Sequence, residues 1–237
     1  MLLLTIAKNV THRDKPIESD VHILLEELTY VEENYSNIPY VNYYRAKAYN
    51  CIGDKLNAEA VSKTVTYAER DGSVSHGLFR IPGYVAALRS KKVKGNSKPT
   101  KKNLTQNAIQ IDGDYGFAPM AIQIGIPELV KVTKNHGVGV LTIKNTHHFA
   151  ALWHETEALA ENELIGIACT AYMPSVAPAG ATKPLFGTNP ISFAWPRKNK
   201  TPVVYDMATA SMAMGEVQVA ARDGHKVPFG TGSVSYT

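Results

Sequence analysis

Strand-like and helix-like stretches alternate along the second half of this chain, and that alternation constrains its fold more than any other feature. Residues 118–135 keep helical apolar spacing, with Pro127 expected to kink or interrupt the helix. Residues 137–145 read as a strand, 149–162 as a helix, 164–171 as a strand, and 191–195 and 203–207 as two more. Strands interleaved with helices predict an α/β domain built on a mixed sheet. Upstream, Asn57 is placed to cap a helix carrying Ala58, Val61, Val65 and Ala68 on one face, with Gly72 at its end. The first fifty-odd residues differ in kind. Seven of the twelve tyrosines fall between Tyr30 and Tyr67, and residues 17–28 alone read as a helix there. Residues 1–56 are therefore expected to form an N-terminal region separate from residues 57–237.

A hydrophobic fraction of 44% against 19% charged residues belongs to a globular chain rather than a disordered one. The net charge of +4 suits an anionic small molecule or a phosphorylated cofactor. Arg89, Lys91, Lys92, Lys94, Lys98, Lys101 and Lys102 crowd one stretch that reads as a solvated loop; it lacks the interleaved aromatics of a nucleic-acid surface. Cys51 and Cys169 have no metal-binding or disulfide-framework spacing, so a reducing compartment is expected. The opening apolar run is too short for a signal segment, and no stretch nears the ~20 apolar residues of a membrane span. The expected address is the cytoplasm, with no membrane partner.

No G-x-G-x-x-G fingerprint occurs, and Gly230-Thr231-Gly232 is too short and too late to replace it. A nucleotide would need another scaffold, for which the strand-to-helix junction at Thr146-His147-His148-Phe149 is a candidate. His154-Glu155-Thr156-Glu157-Ala158 lacks the second histidine of a zinc-protease motif, and the adjacent His147 and His148 point apart, so no metal is expected. Ser75-His76 is no nucleophile elbow, because Ser73 stands where that motif needs glycine. If Ser75 caps a helical turn, His76 and Arg80 are i and i+4, roughly 5–6 Å apart at Cβ. A proton donor then lies beside a guanidinium fork suited to a carboxylate, as a 2-oxo or 2-imino acid requires.

Four segments in order carry a family resemblance: residues 75–84 (SHGLFRIPGY), 111–116 (IDGDYG), 186–191 (FGTNPI) and 205–209 (YDMAT). They resemble the type-2 malate/L-lactate dehydrogenases, a non-Rossmann family that includes ureidoglycolate dehydrogenases. The run 147–153 (HHFAALW) is similar to the branch that reduces delta-1-piperideine-2-carboxylate and delta-1-pyrroline-2-carboxylate to L-pipecolate and L-proline. The resemblance covers residues 57–227. It implies NADPH as cofactor, with NADH the alternative, a small cyclic imino acid as substrate, and a homodimer. It further implies that Ser75, His76 and Glu216 form a proton relay, Glu216 standing where the imino-acid branch has Asp. Arg80 and Thr188 would hold substrate. His148, Phe149, Ala150, Ala151, Leu152, Asp206, Met207, Ala208, Met214 and Gly215 would line the cofactor.

Two other functions fit the same residues. His76 and Arg80 serve a 2-hydroxy-acid dehydrogenase of malate, lactate or ureidoglycolate equally well. The family's C-terminal third, with its glycine-rich G-H-K-G segment, is missing after Thr237, so an inactive fragment or a non-catalytic partner of a complete subunit is the third reading.

Overall fold

The structure, a computed structural model, describes residues 54–147, 150–178, 180–208, 210, 212 and 214–227. The helix expected over residues 17–28, and nearly all of the expected N-terminal region, lie outside these.

Helix α1 spans Lys55–Arg70 and buries Ala58, Val61, Val65 and Ala68, the face its spacing predicts. Its cap is Asp54, not Asn57: the Asp54 carboxylate accepts the Asn57 N–H at 3.0 Å. Asn57 is buried instead, donating to Asp54 and to the Ser97 carbonyl and accepting from Ser97 Oγ at 2.7 Å. At the other end Gly72 takes a left-handed φ of +78°. The Gly72 and Ser73 amides reach back to the carbonyls of Glu69 and Ala68, the paired bonds of a Schellman motif.

Two 3-10 turns follow, Val74–His76 and Leu78–Arg80, then α2 over Ile81–Arg89. Pro82 and Gly83 do not prevent α2, because proline in a first turn sacrifices no hydrogen bond. Phe117, Val61, Val65, Ile81, Tyr84 and Val93 make the core cluster beneath these elements, with the Tyr84 and Phe117 rings 4.9 Å apart.

Strands β1 (Thr100–Asn103), β2 (Ala108–Phe117) and β3 (Val140–His147) form one sheet in that order. β1 runs antiparallel to β2 and β3 parallel to it, with α3 (Ala118–His136) as the crossover. α3 continues through Pro127 rather than stopping there. The carbonyl deprived of its donor belongs to exposed Gln123, where solvent can reach it. The lysine-rich stretch is no simple loop either: β1 emerges from it as an exposed edge strand, where lysines discourage further pairing.

Residues 111–116 form a bulge in β2. The register shifts between Asp112 and Gly116, and Asp114 and Tyr115 take positive φ. Asp114 accepts from Lys94 Nζ at 2.5 Å and the Lys98 amide at 3.2 Å, and so ties down the preceding loop.

The second sheet is antiparallel: β4 (Gly166–Cys169), β5 (Ile191–Arg197) and β6 (Lys200–Met207). Helix α4 (Trp153–Glu161) packs on one face, sealed by a Thr156–Ser192 hydroxyl pair at 2.7 Å that is fully buried. Helix α5 (Met214–Asp223) returns to the first 3-10 turn. Mixed and antiparallel sheets with flanking helices make the α/β architecture expected. Among the described residues no helix is long and apolar enough to cross a membrane, and no His/Cys/Asp/Glu cluster could hold a metal ion.

Candidate active site

The Schellman end of α1 delivers the chain into a double turn. His76 lies at the end of the first 3-10 turn and Arg80 at the end of the second, with Gly77 between them at φ −91° and ψ −136°. This corrects the expectation of one α-helical turn capped by Ser75. Ser75 sits inside the first turn, and each turn closes on its own short bonds, Gly77 N–H to Val74 O and Arg80 N–H to Gly77 O. His76 and Arg80 still end up close enough for the guanidinium to act on the imidazole.

Ser75 is buried, and its Oγ lies 2.9 Å from His76 Nδ1; Ser73 Oγ lies 3.2 Å from the same nitrogen. The two hydroxyls occupy Nδ1, which leaves Nε2 as the ring nitrogen a ligand could meet. Burial holds His76 down to about 4, and the positive charge of Arg80, then His154, adds to it. The free chain therefore carries a neutral His76 near neutral pH. Arg80 Nε is buried without a hydrogen-bond partner, an arrangement an arriving carboxylate would complete.

Helix α5 closes over this pair. A Cβ on Gly215 would come 2.3 Å from Arg80 Nη2 and 3.1 Å from both Cβ and O of Ser75. The structure thus brings Ser75, His76, Arg80 and Gly215 together. Met214 begins the same helix. Glu216, next in α5, is exposed, and the groups at His76 Nδ1 are hydroxyls rather than its carboxylate. Of the expected relay, Ser75 and His76 are in contact, while Glu216, one residue past Gly215, is exposed.

The segments expected to line a cofactor meet elsewhere. Ala151 and Leu152 are buried, and the Trp153 amide donates to Asp206 Oδ2 at 3.0 Å, joining residues 150–152 to the end of β6 at Asp206-Met207-Ala208. The helix begins at Trp153 rather than at Phe149, and its first amide donates to the protein's own carboxylate at Asp206. His148 and Phe149 lie outside the described residues. Thr188 is half-buried in the loop before β5, where Asn189 Oδ1 accepts the Tyr172 amide at 3.2 Å.

Three side chains of this neighbourhood were not anticipated in these positions. Glu69 accepts the Leu78 amide at 2.6 Å, beside the double turn. His154 is wedged between Tyr67 and Trp153, ring centroids 5.4 and 4.7 Å away, with neither ring nitrogen hydrogen-bonded. Burial depresses it to about 4, against the opposing charge of Asp71. Glu155 has a buried, unpartnered Oε2, and burial raises it to about 8, with Asp206 nearby adding to the rise. Only the near-miss of the zinc motif had drawn attention to residues 154 and 155.

Known proteins share this framework. The Pseudomonas putida protein named Delta(1)-pyrroline-2-carboxylate/Delta(1)-piperideine-2-carboxylate reductase is 44% identical over 179 residues, 74% of this chain and 52% of its own length. The Pseudomonas aeruginosa protein of the same name is 39% identical over 178 residues, 75% of this chain and 53% of its own. The crystal structure of delta1-piperideine-2-carboxylate reductase from Pseudomonas syringae superposes with a TM-score of 0.74 at 39% identity, covering 79% of this chain and 57% of that one. Malate dehydrogenase from Entamoeba histolytica gives a TM-score of 0.75 at 26% identity, covering 81% and 54%. The chain spans about half the length of the curated relatives it matches. The profile described as Malate/L-lactate dehydrogenase matches residues 51–233, and the chain belongs to that family.

Proposed function

We propose that this chain carries the substrate end of a nicotinamide-dependent reductase of cyclic imino acids, turning delta-1-piperideine-2-carboxylate into L-pipecolate and delta-1-pyrroline-2-carboxylate into L-proline. The observation that carries the reading is the juxtaposition of His76 with a buried, unpartnered Arg80 Nε under the start of α5. Arg80 grips the substrate carboxylate, which fixes the face of the C=N bond offered for reduction. The relatives named for these two substrates support the choice of imino acid.

His76 is neutral above about pH 4 in the free chain. A carboxylate on Arg80 offsets that arginine's charge and raises the proton affinity of His76, while burial keeps it below the ordinary histidine range. A histidine that seldom carries a proton to give suits an imine better than a ketone. A protonated imine already carries its proton on nitrogen and needs only hydride at carbon, whereas a 2-oxo acid must be given one as its oxygen becomes an alkoxide. His76 then holds and orients that N–H, with Ser73 and Ser75 steadying the ring through Nδ1.

A bound NADPH, or NADH in its place, would supply the hydride. The joined segments Ala150-Ala151-Leu152 and Asp206-Met207-Ala208, with Met214 and Gly215, are the residues that would hold it. They fit an uncharged nicotinamide better than a phosphate, since Asp206 already takes the Trp153 amide. The working form proposed is a cytoplasmic homodimer.

The test is direct. The purified chain is mixed with NADPH and delta-1-piperideine-2-carboxylate, and nucleotide absorbance is followed, with pyruvate and oxaloacetate as competitors for the assignment. Faster turnover of the imine supports the proposal; faster turnover of either oxo acid replaces it with a 2-hydroxy-acid dehydrogenase.

A further inference from the structure

The Leu78 amide opens the second 3-10 turn, and neither turn supplies its acceptor. Glu69 Oε1 takes that role at 2.6 Å. The space it uses is the space Gly77 leaves empty: a Cβ at residue 77 would lie 2.3 Å from Glu69 Oε1, 2.6 Å from its Cδ and 2.7 Å from its Cγ. A carboxylate in the last turn of a helix faces the negative end of the dipole and gains nothing there. Its contact with the double turn accounts for its position.

The same carboxylate reaches toward α5. The Arg222 guanidinium is held protonated mainly by Asp223, with Glu69 adding to the effect, and it lies 5.3 Å over the Phe79 ring. Helix α5 therefore touches the double turn at both ends, through Gly215 on Ser75 and Arg80 and through Arg222 on Phe79.

We propose that Glu69 is a positioning residue: by holding the backbone at Leu78, midway between His76 and Arg80, it sets how far those two side chains stand apart on the substrate. This rests on the reading of the double turn as the substrate site. Glu69 touches neither substrate nor cofactor in this role, and its effect passes through the backbone.

The experiment compares Glu69→Ala with Glu69→Gln, whose amide oxygen can still accept the Leu78 N–H. In the alanine variant, amide exchange at Leu78 accelerates at least about tenfold and the NMR titration midpoint of His76 shifts. With NADPH and delta-1-piperideine-2-carboxylate, kcat/KM falls by roughly 10²-fold, KM rising more than kcat falls. Glutamine restores each to within about threefold. If the alanine variant fails to fold, Gly77→Ala does the same work, since the new methyl displaces the carboxylate and reproduces the KM rise. Unchanged Leu78 exchange, or a rise in exchange with KM intact, overturns the proposal. If the unaltered chain does not turn the imine over, the functional reading fails, while Leu78 exchange and the His76 midpoint still decide for or against the brace.

Discussion

At the double turn, polar atoms find one another; at the start of α4, three of them do not. Ser73, Ser75 and His76 form a local set of hydrogen bonds, Glu69 takes the Leu78 amide, and Arg80 Nε is buried without a partner. At the head of α4, His154 and Glu155 sit side by side with three side-chain polar atoms buried and unpartnered. Both places contain a histidine pushed to about 4 chiefly by burial. The difference lies in what a ligand could relieve. An incoming carboxylate answers Arg80 and, through it, His76, whereas at α4 the misfit lies inside the helix packing and is borne as a pH-dependent cost of stability.

The largest expected effect breaks the first region. Arg80→Met keeps much of the side chain's bulk and removes the fork. kcat/KM for the imino acid is expected to fall by about 10²–10³-fold, the scale of losing a buried charge-assisted pair. The His76 midpoint, read by NMR, should move up from about 4 and stop short of the ordinary 6.5, because burial remains as its main cause. A midpoint that stays put would show that the two side chains do not sense each other.

Glu155→Gln sharpens the contrast through stability. Glu155 titrates near 8 in the folded chain against 4.5 when unfolded, so between those values the native state binds the extra proton. Its contribution is fully present below about pH 4.5 and is lost as pH rises through about 8. The buried histidines run the opposite way: unfolded chains bind more protons between about 4 and 6.5, so stability falls as pH drops through that window. Urea titrations across pH should show Glu155→Gln flattening the alkaline side by on the order of 2–3 kcal/mol while leaving the acid side alone. An unchanged alkaline limb would mean that Glu155 reaches water.

What could be read from the sequence divides along similar lines. Helix α1 was legible because Ala58, Val61, Val65 and Ala68 repeat at helical spacing and are all buried. Its cap is not legible in the same way, because Asp54 and Asn57 are both good cap residues, and only tertiary contact with Ser97 decides between them. β2 does not read as a strand, since Asp112, Gly113 and Asp114 look like a turn and are in fact a bulge. That His76 and Arg80 lie near each other follows from their spacing, although two 3-10 turns achieve it where one α-turn was expected. Glu69 left no trace, because a carboxylate reaching a distant backbone amide creates no period and no motif. At Glu216, motif position gives the residue, and helix phase gives its direction, which leaves it exposed.

Gly215→Ala probes the first region more gently. The new methyl meets the flexible end of Arg80, which can swing away, but also Ser75, whose Cβ and carbonyl have less room to give. The expected outcome is roughly a tenfold loss of kcat/KM with a melting temperature close to that of the parent. A large loss of stability instead would show that the contact of α5 with the turn serves folding more than grip.

The smallest effect concerns Asp206, where the two regions would meet if one cofactor spans them. Its carboxylate takes the Trp153 amide at the head of α4, and burial raises its own affinity for protons against that hydrogen bond. Asp206→Ala leaves the amide without its acceptor and should cost about 1 kcal/mol in urea unfolding, the ordinary worth of a helix cap. Asp206→Asn keeps an acceptor and should cost less. Both remove a negative charge beside Glu155, so its midpoint should drop below about 8, though only modestly because burial is the larger cause. If asparagine and alanine cost the same, the charge matters and the hydrogen bond does not. The amides at the head of α4 would then be available to a phosphate after all.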